Sequence, residues 1–211
     1  NMNLGEIVTE VRINLKDQRA DVLASIQDYI NEAYRWVAEE TTLPSLKTLF
    51  TVDTVLEQAY TTITGNFDGR LLYCGTSEGK ISVLDGGLIE LLENHPDLSE
   101  EGDIEHVAVE GSTLWYAKIP ATVTSLICLG YYKPTPLTVN TDTPSAIPDY
   151  LHRGLLVNKA SAIGYSIIED GLEGERPNTS YYEGEAVKAL ILLKGWVEKR
   201  RGHLRRGVWS V

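Results

Sequence analysis

The periodicity of the apolar residues changes twice along this chain of 211 residues, and the two changes restrict its fold more than any motif does. Before Phe50 and after Pro148, apolar residues recur every three or four positions, which is typical of amphipathic helices. Between Phe50 and Tyr132, apolar and polar residues alternate in short runs that closely spaced turn signals separate. The sequence therefore predicts an α+β protein with helices at both ends and a β region between them.

Two helices are predicted before Phe50. Asn3 and Glu6 have the spacing of a capping box at the start of the first helix, and Asp17 is expected to cap the second. The second helix is expected to end at Leu43–Ser45, because the residue before a proline disfavours helical backbone. The apolar stripe of the first helix is Leu4, Ile7, Val8, Val11 and Leu15, and that of the second is Val22, Ile26, Tyr29, Ile30, Ala33 and Val37.

The β region is predicted to be antiparallel, because tight turns cannot join parallel neighbours. Asp68-Gly69 and Glu110-Gly111 are examples of its turn signals. Gly87–Asn94 is expected to form one or two helical turns, and Leu98–Glu105 an acidic loop. The predicted strands are Leu49–Val55, Tyr60–Thr64, Arg70–Cys74, Ile81–Leu84, Ile104–Val109, Thr113–Lys118 and Thr124–Tyr132.

Two more helices follow a proline-rich link. The first is predicted from about Pro148 to Asp170, and the second from a capping box at Ser180 and Glu183 to Gly202. The apolar stripe of the second is Ala186, Ala189, Leu190, Leu193 and Val197. The terminal helices are expected to pack as a four-helix layer formed by residues 1–46 and 147–202. Residues 47–146 would then be an inserted β-rich region with its proline-rich link, and residues 203–211 a C-terminal arm.

The net charge of −11 is divided unevenly along the chain. Residues 194–206 contain six basic residues and one acidic residue, a local charge of +5, which leaves −16 for the rest. An acidic body repels DNA at close range, whereas a basic end suits an acidic protein partner or a phosphate backbone. A solvated helix end explains Lys199–Arg201 equally well, since cations stabilise the C-terminal end of a helix. A solvated helix end does not explain Arg205 and Arg206, because they lie beyond Gly202, where the helix is predicted to end.

Residue patterns typical of enzymes and of metal sites are missing from the sequence. The four histidines, at positions 95, 106, 152 and 203, are scattered, and none has a second ligand at metal spacing. Gly75–Lys80 differs from a phosphate-binding loop in spacer length, in the Ile81 that follows it, and in lying between strands. The sequence therefore predicts a non-enzymatic protein with no catalytic residues, no cofactor and no metal ligands.

Several other residues are interpreted as structural. His152 is expected to be a surface or packing residue, and the acids between Asp97 and Glu105 a solvated loop rather than a calcium site. Cys74 and Cys128 are expected to be buried free thiols. The polar N-terminus predicts no signal peptide, and no apolar run approaches the ~18–20 residues that cross a bilayer.

Two stretches of the sequence resemble the head-to-tail connector, or adaptor, proteins of tailed bacteriophages. The first is Ile30–Val37, followed by Leu43–Leu46. The second is Tyr132–Thr138, followed by Asp142–Pro148 and the helix Asp149–Ala160. In that family a helical N-terminus leads into a β region, and a proline-rich link then enters the C-terminal helices.

The resemblance implies a structural virion protein of the neck, assembled in the cytoplasm of the host bacterium. Such adaptors bind the portal protein after DNA packaging, usually as a ring of twelve copies. They extend the DNA channel and provide a docking surface for the next neck or tail protein. DNA would pass through the channel without specific binding, and no membrane would be involved.

The resemblance also implies that the C-terminal segment reaches into the portal or a neighbouring copy. Arg205 and Arg206 would then meet acidic groups, Arg200 and Arg201 would extend the basic surface, and Trp209 would be an apolar anchor of the kind found at binding hot spots. Removal of the residues after Gly202 is predicted to abolish portal binding and to leave the fold intact.

Three other functions remain open at this point. The chain could be a different tail-completion or baseplate-like structural protein. It could be a carbohydrate-binding β module that stacks sugars on Trp115-Tyr116 and Tyr131-Tyr132. It could also bind nucleic acid through its basic end, with an affinity that falls steeply as salt rises.

Overall fold

The computed structural model describes residues 1–16, 20–170 and 176–206, with side chains as far as residue 200. Within these ranges the chain forms two compact units. The helical unit combines Asn1–Ser45 with the chain from Pro134 onward, and the sheet unit is Leu46–Lys133. Helices and strands are both present, which confirms the predicted α+β class.

The secondary structure follows the predicted order closely. The α-helices of the described residues are α1 (Leu4–Leu15), α2 (Ala20–Glu40), α3 (Gly87–Asn94), α4 (Asn158–Ile168) and α5 (Pro177–Arg206). The strands of the same residues are β1 (Lys47–Asp53), β2 (Tyr60–Thr62), β3 (Phe67–Gly75), β4 (Lys80–Val83), β5 (His106–Glu110), β6 (Thr113–Ala117) and β7 (Ser125–Tyr132). Each predicted strand is confirmed, with its ends displaced by at most three residues.

The start of α1 has the predicted capping box. The backbone N–H of Glu6 donates to Asn3 Oδ1 at 2.9 Å, and the backbone N–H of Asn3 donates to Glu6 Oε2 at 2.9 Å. The predicted stripes of α1 and α2 are buried, except that Val8 is half-buried. Asp17, the expected cap of α2, lies outside the described residues.

The helix predicted from Pro148 to Asp170 consists of three consecutive helical segments. A 3₁₀ turn at Asp149–Leu151 and a π-helical turn at Arg153–Val157 lead into α4. Packing against α5 is very close here, because a Cβ on Gly154 would lie 2.8 Å from the Cβ of Ala189. In this unit α4 packs against α1, α2 and α5. The four-helix layer stays a prediction.

The sheet unit contains a curled mixed sheet, which in the described residues has the strand order β1-β7-β3-β4-β5-β6-β2. Its two edge strands approach each other, and Thr61 Oγ1 donates to the carbonyl of Asp53 at 2.9 Å. The prediction of an entirely antiparallel β region is wrong at β4 and β5, which are parallel. The connection between them contains α3 and is long enough for the crossover that parallel strands need.

Asp68-Gly69 does not form the predicted turn, because β3 continues through it. Gly69 has φ +90°, and the pairing of β3 with β7 shifts between Phe67 and Leu71. A residue with positive φ inside a strand is typical of a bulge, which increases local twist. This bulge contributes to the curl of the sheet.

The interior of the sheet unit is apolar. Its largest fully buried side chain is Tyr116, whose hydroxyl donates to the carbonyl of Tyr60 at 3.3 Å. Cys74 and Cys128 face each other across β3 and β7, with their Sγ atoms 3.8 Å apart. Both are free and buried, as predicted.

Helix α5 does not end at Gly202 as predicted, because its backbone remains helical to Arg206. Glycine lowers helix stability by only ~1 kcal/mol relative to alanine, so one glycine near a helix end does not terminate the helix. Residues 203–206 of the predicted C-terminal arm are therefore part of α5.

Candidate partner-binding surface

Helix α5 has one buried face, and this face holds it against the helical unit. Its buried residues are those of the predicted stripe: Ala186, Ala189, Leu190, Leu193 and Val197. Their spacing of three and four positions places them on one side of the helix. The side chains on the opposite side of α5 are accordingly available for contacts with another molecule.

That opposite side carries large apolar groups. We call it the α5 face and define it by Tyr181, Gly184, Ile191, Leu192 and Gly195. Tyr181, Ile191 and Leu192 are 62%, 64% and 63% exposed. A Cβ on either glycine would meet nothing within 4 Å, so the backbone is open to close approach at both positions. Exposed aliphatic groups beside glycines allow another helix or strand to pack closely.

The basic end of α5 follows toward the C-terminal end of the same helix. Lys199 and Arg200 are exposed, and the Arg200 guanidinium lies over the Trp196 ring at 4.1 Å from its centroid. Such a cation–π contact orients a guanidinium while leaving its N–H groups able to bind an anion. Arg201, Arg205 and Arg206 lie on the helical backbone, but their side chains are outside the described part. Trp209 lies outside the described residues altogether.

The beginning of α5 is capped by a carboxylate from the end of α4, which the sequence did not predict. Glu169 Oε1 accepts from the backbone N–H and the side-chain amide of Asn178, and Oε2 accepts from the backbone N–H and the hydroxyl of Thr179. Burial alone would raise the pKa of Glu169, but these hydrogen bonds outweigh it and hold the pKa below its ordinary value. The capping box predicted at Ser180 and Glu183 is wrong.

Helix α5 begins one turn earlier, at Pro177, a residue favoured at the first position of helices. Glu183 instead pairs with Lys159 of α4, whose Nζ lies 2.7 Å from Oε1. Lys159 Nζ also lies 4.7 Å from the centroid of the Trp36 ring on α2. Residues of three helices thus fix the first half of α5.

The two stretches that resemble phage adaptors lie against each other. Asn31 on α2 accepts from the backbone N–H of Leu137 at 2.8 Å and donates to its carbonyl at 3.0 Å. Farther along, the Tyr34 hydroxyl accepts from the backbone N–H of Ala146 at 3.2 Å. These bonds hold the proline-rich link on α2. The residues that carry the resemblance thus have a structural role in the helical unit.

The aromatic residues proposed for sugar stacking do not form an open face. Tyr116 is completely buried, and Tyr131 is 9% exposed. Trp115 packs against the cluster formed by Leu91 of α3 with Ala108 and Ala117, and its indole Nε1 is buried. The geometry does not support a carbohydrate-binding module.

Other residues considered for chemistry are structural. Gly75 and Lys80 are paired across a β3–β4 hairpin, which confirms that this segment lies between strands. His152 is completely buried, and its Nε2 lies 3.0 Å from the carbonyl of Ile147, as expected for a packing residue. Asp97 accepts hydrogen bonds from the backbone and the hydroxyl of Ser99 within its own loop.

Besides the Glu169 cap, sequence reasoning missed two groups of residues with a possible binding role. The α5 face could have been found, because Tyr181, Ile191 and Leu192 form a second apolar group opposite the first stripe. The other feature is His95 with His106, whose ring nitrogens lie 3.0 Å apart although the sequence showed scattered histidines. No sequence spacing indicates this pair, since the crossover through α3 brings the two residues together.

In the part of the chain that the structure describes, no helix is both long and apolar enough to span a membrane. A family model described as "SU10 adaptor protein" matches residues 2–206, nearly the whole chain. No significant match was found among curated proteins.

Proposed function

Because the chain belongs to the SU10 adaptor protein family, and is thus a structural adaptor of a bacteriophage and a component of its virion, we propose that it joins the head to the tail. In this proposal it binds the portal protein after DNA packaging, as a ring of twelve copies. It extends the DNA channel and presents a docking surface to the next neck or tail protein. The family match over residues 2–206 is the observation that carries the proposal.

The α5 face and the basic end of α5 are the proposed binding surface. Apolar groups more than 60% exposed lose contact with water when a partner covers them, which favours association by ~25 cal/mol per Å² of apolar area. Arg200, Arg201, Arg205 and Arg206 would add attraction to acidic groups of the portal, and Trp209 an apolar anchor. Attraction between opposite charges accelerates association and selects the partner.

We further propose that the protein has no enzymatic activity and does not bind DNA specifically. The charge of −16 outside residues 194–206 disfavours tight contact with the phosphate backbone. DNA could therefore move through a ring of such chains. In a binding assay, the affinity of the chain for duplex DNA should be weak and independent of base sequence.

The test is assembly with the purified portal protein of the same phage, followed by sedimentation and negative-stain electron microscopy. The wild-type chain should add a ring of density to the portal. Leu192→Asp and Ile191→Asp should weaken the association at least about tenfold, because each would replace a large apolar side chain of the α5 face with a charge that must be desolvated on binding.

Ile13→Asp is the matched control, since Ile13 on α1 is 62% exposed and lies outside the α5 face. This variant should bind the portal like the wild type. Equal loss of binding in all three variants would contradict the role of the α5 face. Binding to a tail protein but not to the portal would replace the connector role with that of a different structural component.

Residues after Gly202 are tested separately by truncation. Because α5 continues to Arg206, one truncation should end after Gly202 and a second after Arg206. If Trp209, Arg205 and Arg206 all contribute, the chain that ends at Arg206 should bind the portal more weakly than the wild type, and the chain that ends at Gly202 more weakly still. The circular dichroism of the remaining helices should not change. Normal portal binding by the shorter chain would exclude a role for this segment.

A further inference from the structure

Two histidines and a glutamate converge in the sheet unit, at the place where the crossover from α3 enters the sheet. His95 follows the last residue of α3, and its backbone N–H donates to the carbonyl of Leu91 at 2.8 Å. His106 is the first residue of β5, and Glu105 immediately precedes it. A ligand atom from each of the three lies within 4.8 Å of the others.

The backbone on both sides of this cluster is held firmly. His106 is paired with Ser82 of β4 on one side and with Ala117 of β6 on the other. The position of α3 is fixed by Leu91, which is completely buried against Ala108 and Ala117. The two imidazoles therefore sit on rigid elements, which is what an ordered ligand set requires.

The separation of the ring nitrogens matches that of two ligands on one ion. His95 Nε2 and His106 Nδ1 are 3.0 Å apart. Imidazole nitrogens bound at ~2.0–2.1 Å to one ion, at angles between about 90° and 110°, lie about 2.8–3.4 Å apart. Both rings are half-buried, so they are partly dehydrated while water still reaches the site.

Glu105 adds a carboxylate oxygen to the two imidazoles. Glu105 is 51% exposed at its side chain, and Lys118 Nζ lies 2.8 Å from its Oε1. Lys118 orients the carboxylate, as the outer partners of metal ligands do.

We propose that His95, Glu105 and His106 form a binding site for a divalent transition-metal ion of the zinc type. Two imidazoles and one carboxylate suit Zn²⁺, Co²⁺ or Ni²⁺, whereas Mg²⁺ and Ca²⁺ prefer all-oxygen ligands. The ion would join the end of α3 to the start of β5 and so stabilise the crossover between the parallel strands. Water would complete the coordination. The proposal is independent of the partner-binding role of α5.

The test is calorimetric titration of chelator-treated, full-length protein with zinc sulfate, together with the visible absorption of cobalt in the same protein. We expect one ion per chain, and a higher thermal midpoint with the ion, because an ion that binds the folded state stabilises it. His95→Ala, His106→Ala and Glu105→Gln should each weaken binding at least about tenfold, and the cobalt spectrum of each variant should change.

Glu100→Gln is the matched control, because it removes an exposed carboxylate from the same acidic loop without removing a proposed ligand. This variant should bind zinc like the wild type. Circular dichroism without metal identifies any variant that fails to fold, and His95→Ala, at the solvent-exposed end of α3, is the least disruptive. Equal zinc affinity in His95→Ala and the wild type would overturn the proposal, as would the absence of saturable binding.

Discussion

At the scale of single residues, the hydroxyl oxygen of Tyr34 holds the proline-rich link in place. Its side chain is buried, and its hydroxyl accepts the backbone hydrogen bond that holds Ala146 on α2. Burial raises the pKa of the Tyr34 phenol, so it remains protonated at neutral pH and accepts this bond through its oxygen.

Replacing Tyr34 by phenylalanine should lower the free energy of unfolding by ~1–3 kcal/mol, because the buried N–H of Ala146 would lose its acceptor. Urea unfolding monitored by circular dichroism measures the change. Tyr150→Phe is the control, since Tyr150 is 68% exposed and its substitution should change stability little. Equal stability of the two variants would show that the Tyr34 hydroxyl does not support the link.

The thiol pair in the sheet unit gives a second prediction at this scale. The hydrogen bond with Cys128 and burial together raise the pKa of Cys74 well above its ordinary value, so the thiol stays protonated. The same hydrogen bond lowers the pKa of Cys128, but both side chains are completely buried. Since iodoacetamide must reach a thiolate to react, neither cysteine should be modified in the folded protein over the time in which a free peptide cysteine reacts completely. Mass spectrometry should show two modifications after denaturation. Rapid modification of the native protein would contradict the buried arrangement.

At the scale of secondary-structure elements, Glu169 links the end of α4 to the start of α5. Its pKa is depressed, so its stabilising effect is present above the pKa of the unfolded state and is lost as the pH falls through the lower, folded-state pKa. Glu169→Gln should therefore lower the thermal midpoint by a few degrees at neutral pH, and the difference from the wild type should shrink below about pH 4.

Thermal unfolding between neutral pH and pH 3 tests this cap. Glu39→Gln removes the same charge from an exposed position on α2 and should change the midpoint little. A pH-independent difference between Glu169→Gln and the wild type would mean that the carboxylate charge is not what stabilises the start of α5.

Two glycines of the helical unit should respond to alanine in opposite directions. At Gly154 the new Cβ would overlap Ala189, and separating these helical segments should cost ~1–3 kcal/mol. At Gly184 nothing lies within 4 Å, and alanine should stabilise the isolated chain by up to ~1 kcal/mol. Chemical unfolding measures both changes. If Gly184 lies in a close interface, Gly184→Ala should weaken portal binding while it stabilises the free protein.

At the scale of the whole molecule, the uneven charge predicts a salt dependence. Association with an acidic partner should weaken as ionic strength rises from about 0.05 to about 0.5 M, because screening shortens the range of charge attraction. The double substitution Lys199→Glu with Arg200→Glu should reduce both affinity and salt dependence. Lys47→Glu with Lys80→Glu changes two exposed residues of the sheet unit and should affect binding much less. An affinity independent of salt would contradict a contribution from the basic end of α5, and the α5 face would then be the main contact.

The local periodicity of apolar residues was sufficient to predict which segments are helices or strands and in what order they follow one another. The apolar stripe of α5 and the alternation in each strand depend on which side of a segment faces the core, and neighbouring residues encode that directly. The basic end was equally visible, because charge is a property of composition. The family resemblance at Ile30–Leu46 and Tyr132–Ala160 also follows from residues that are close in sequence.

The features that sequence reasoning missed depend on residues that are distant along the chain or on competing local signals. The Ser180–Glu183 capping box does not form, because α5 begins at Pro177 and its first turn is capped by Glu169 from the end of α4. The parallel pairing of β4 with β5 needed the crossover through α3, and the same crossover brought His95 to His106. Such contacts form only when whole elements pack, since packing selects among local alternatives that differ by only ~1 kcal/mol.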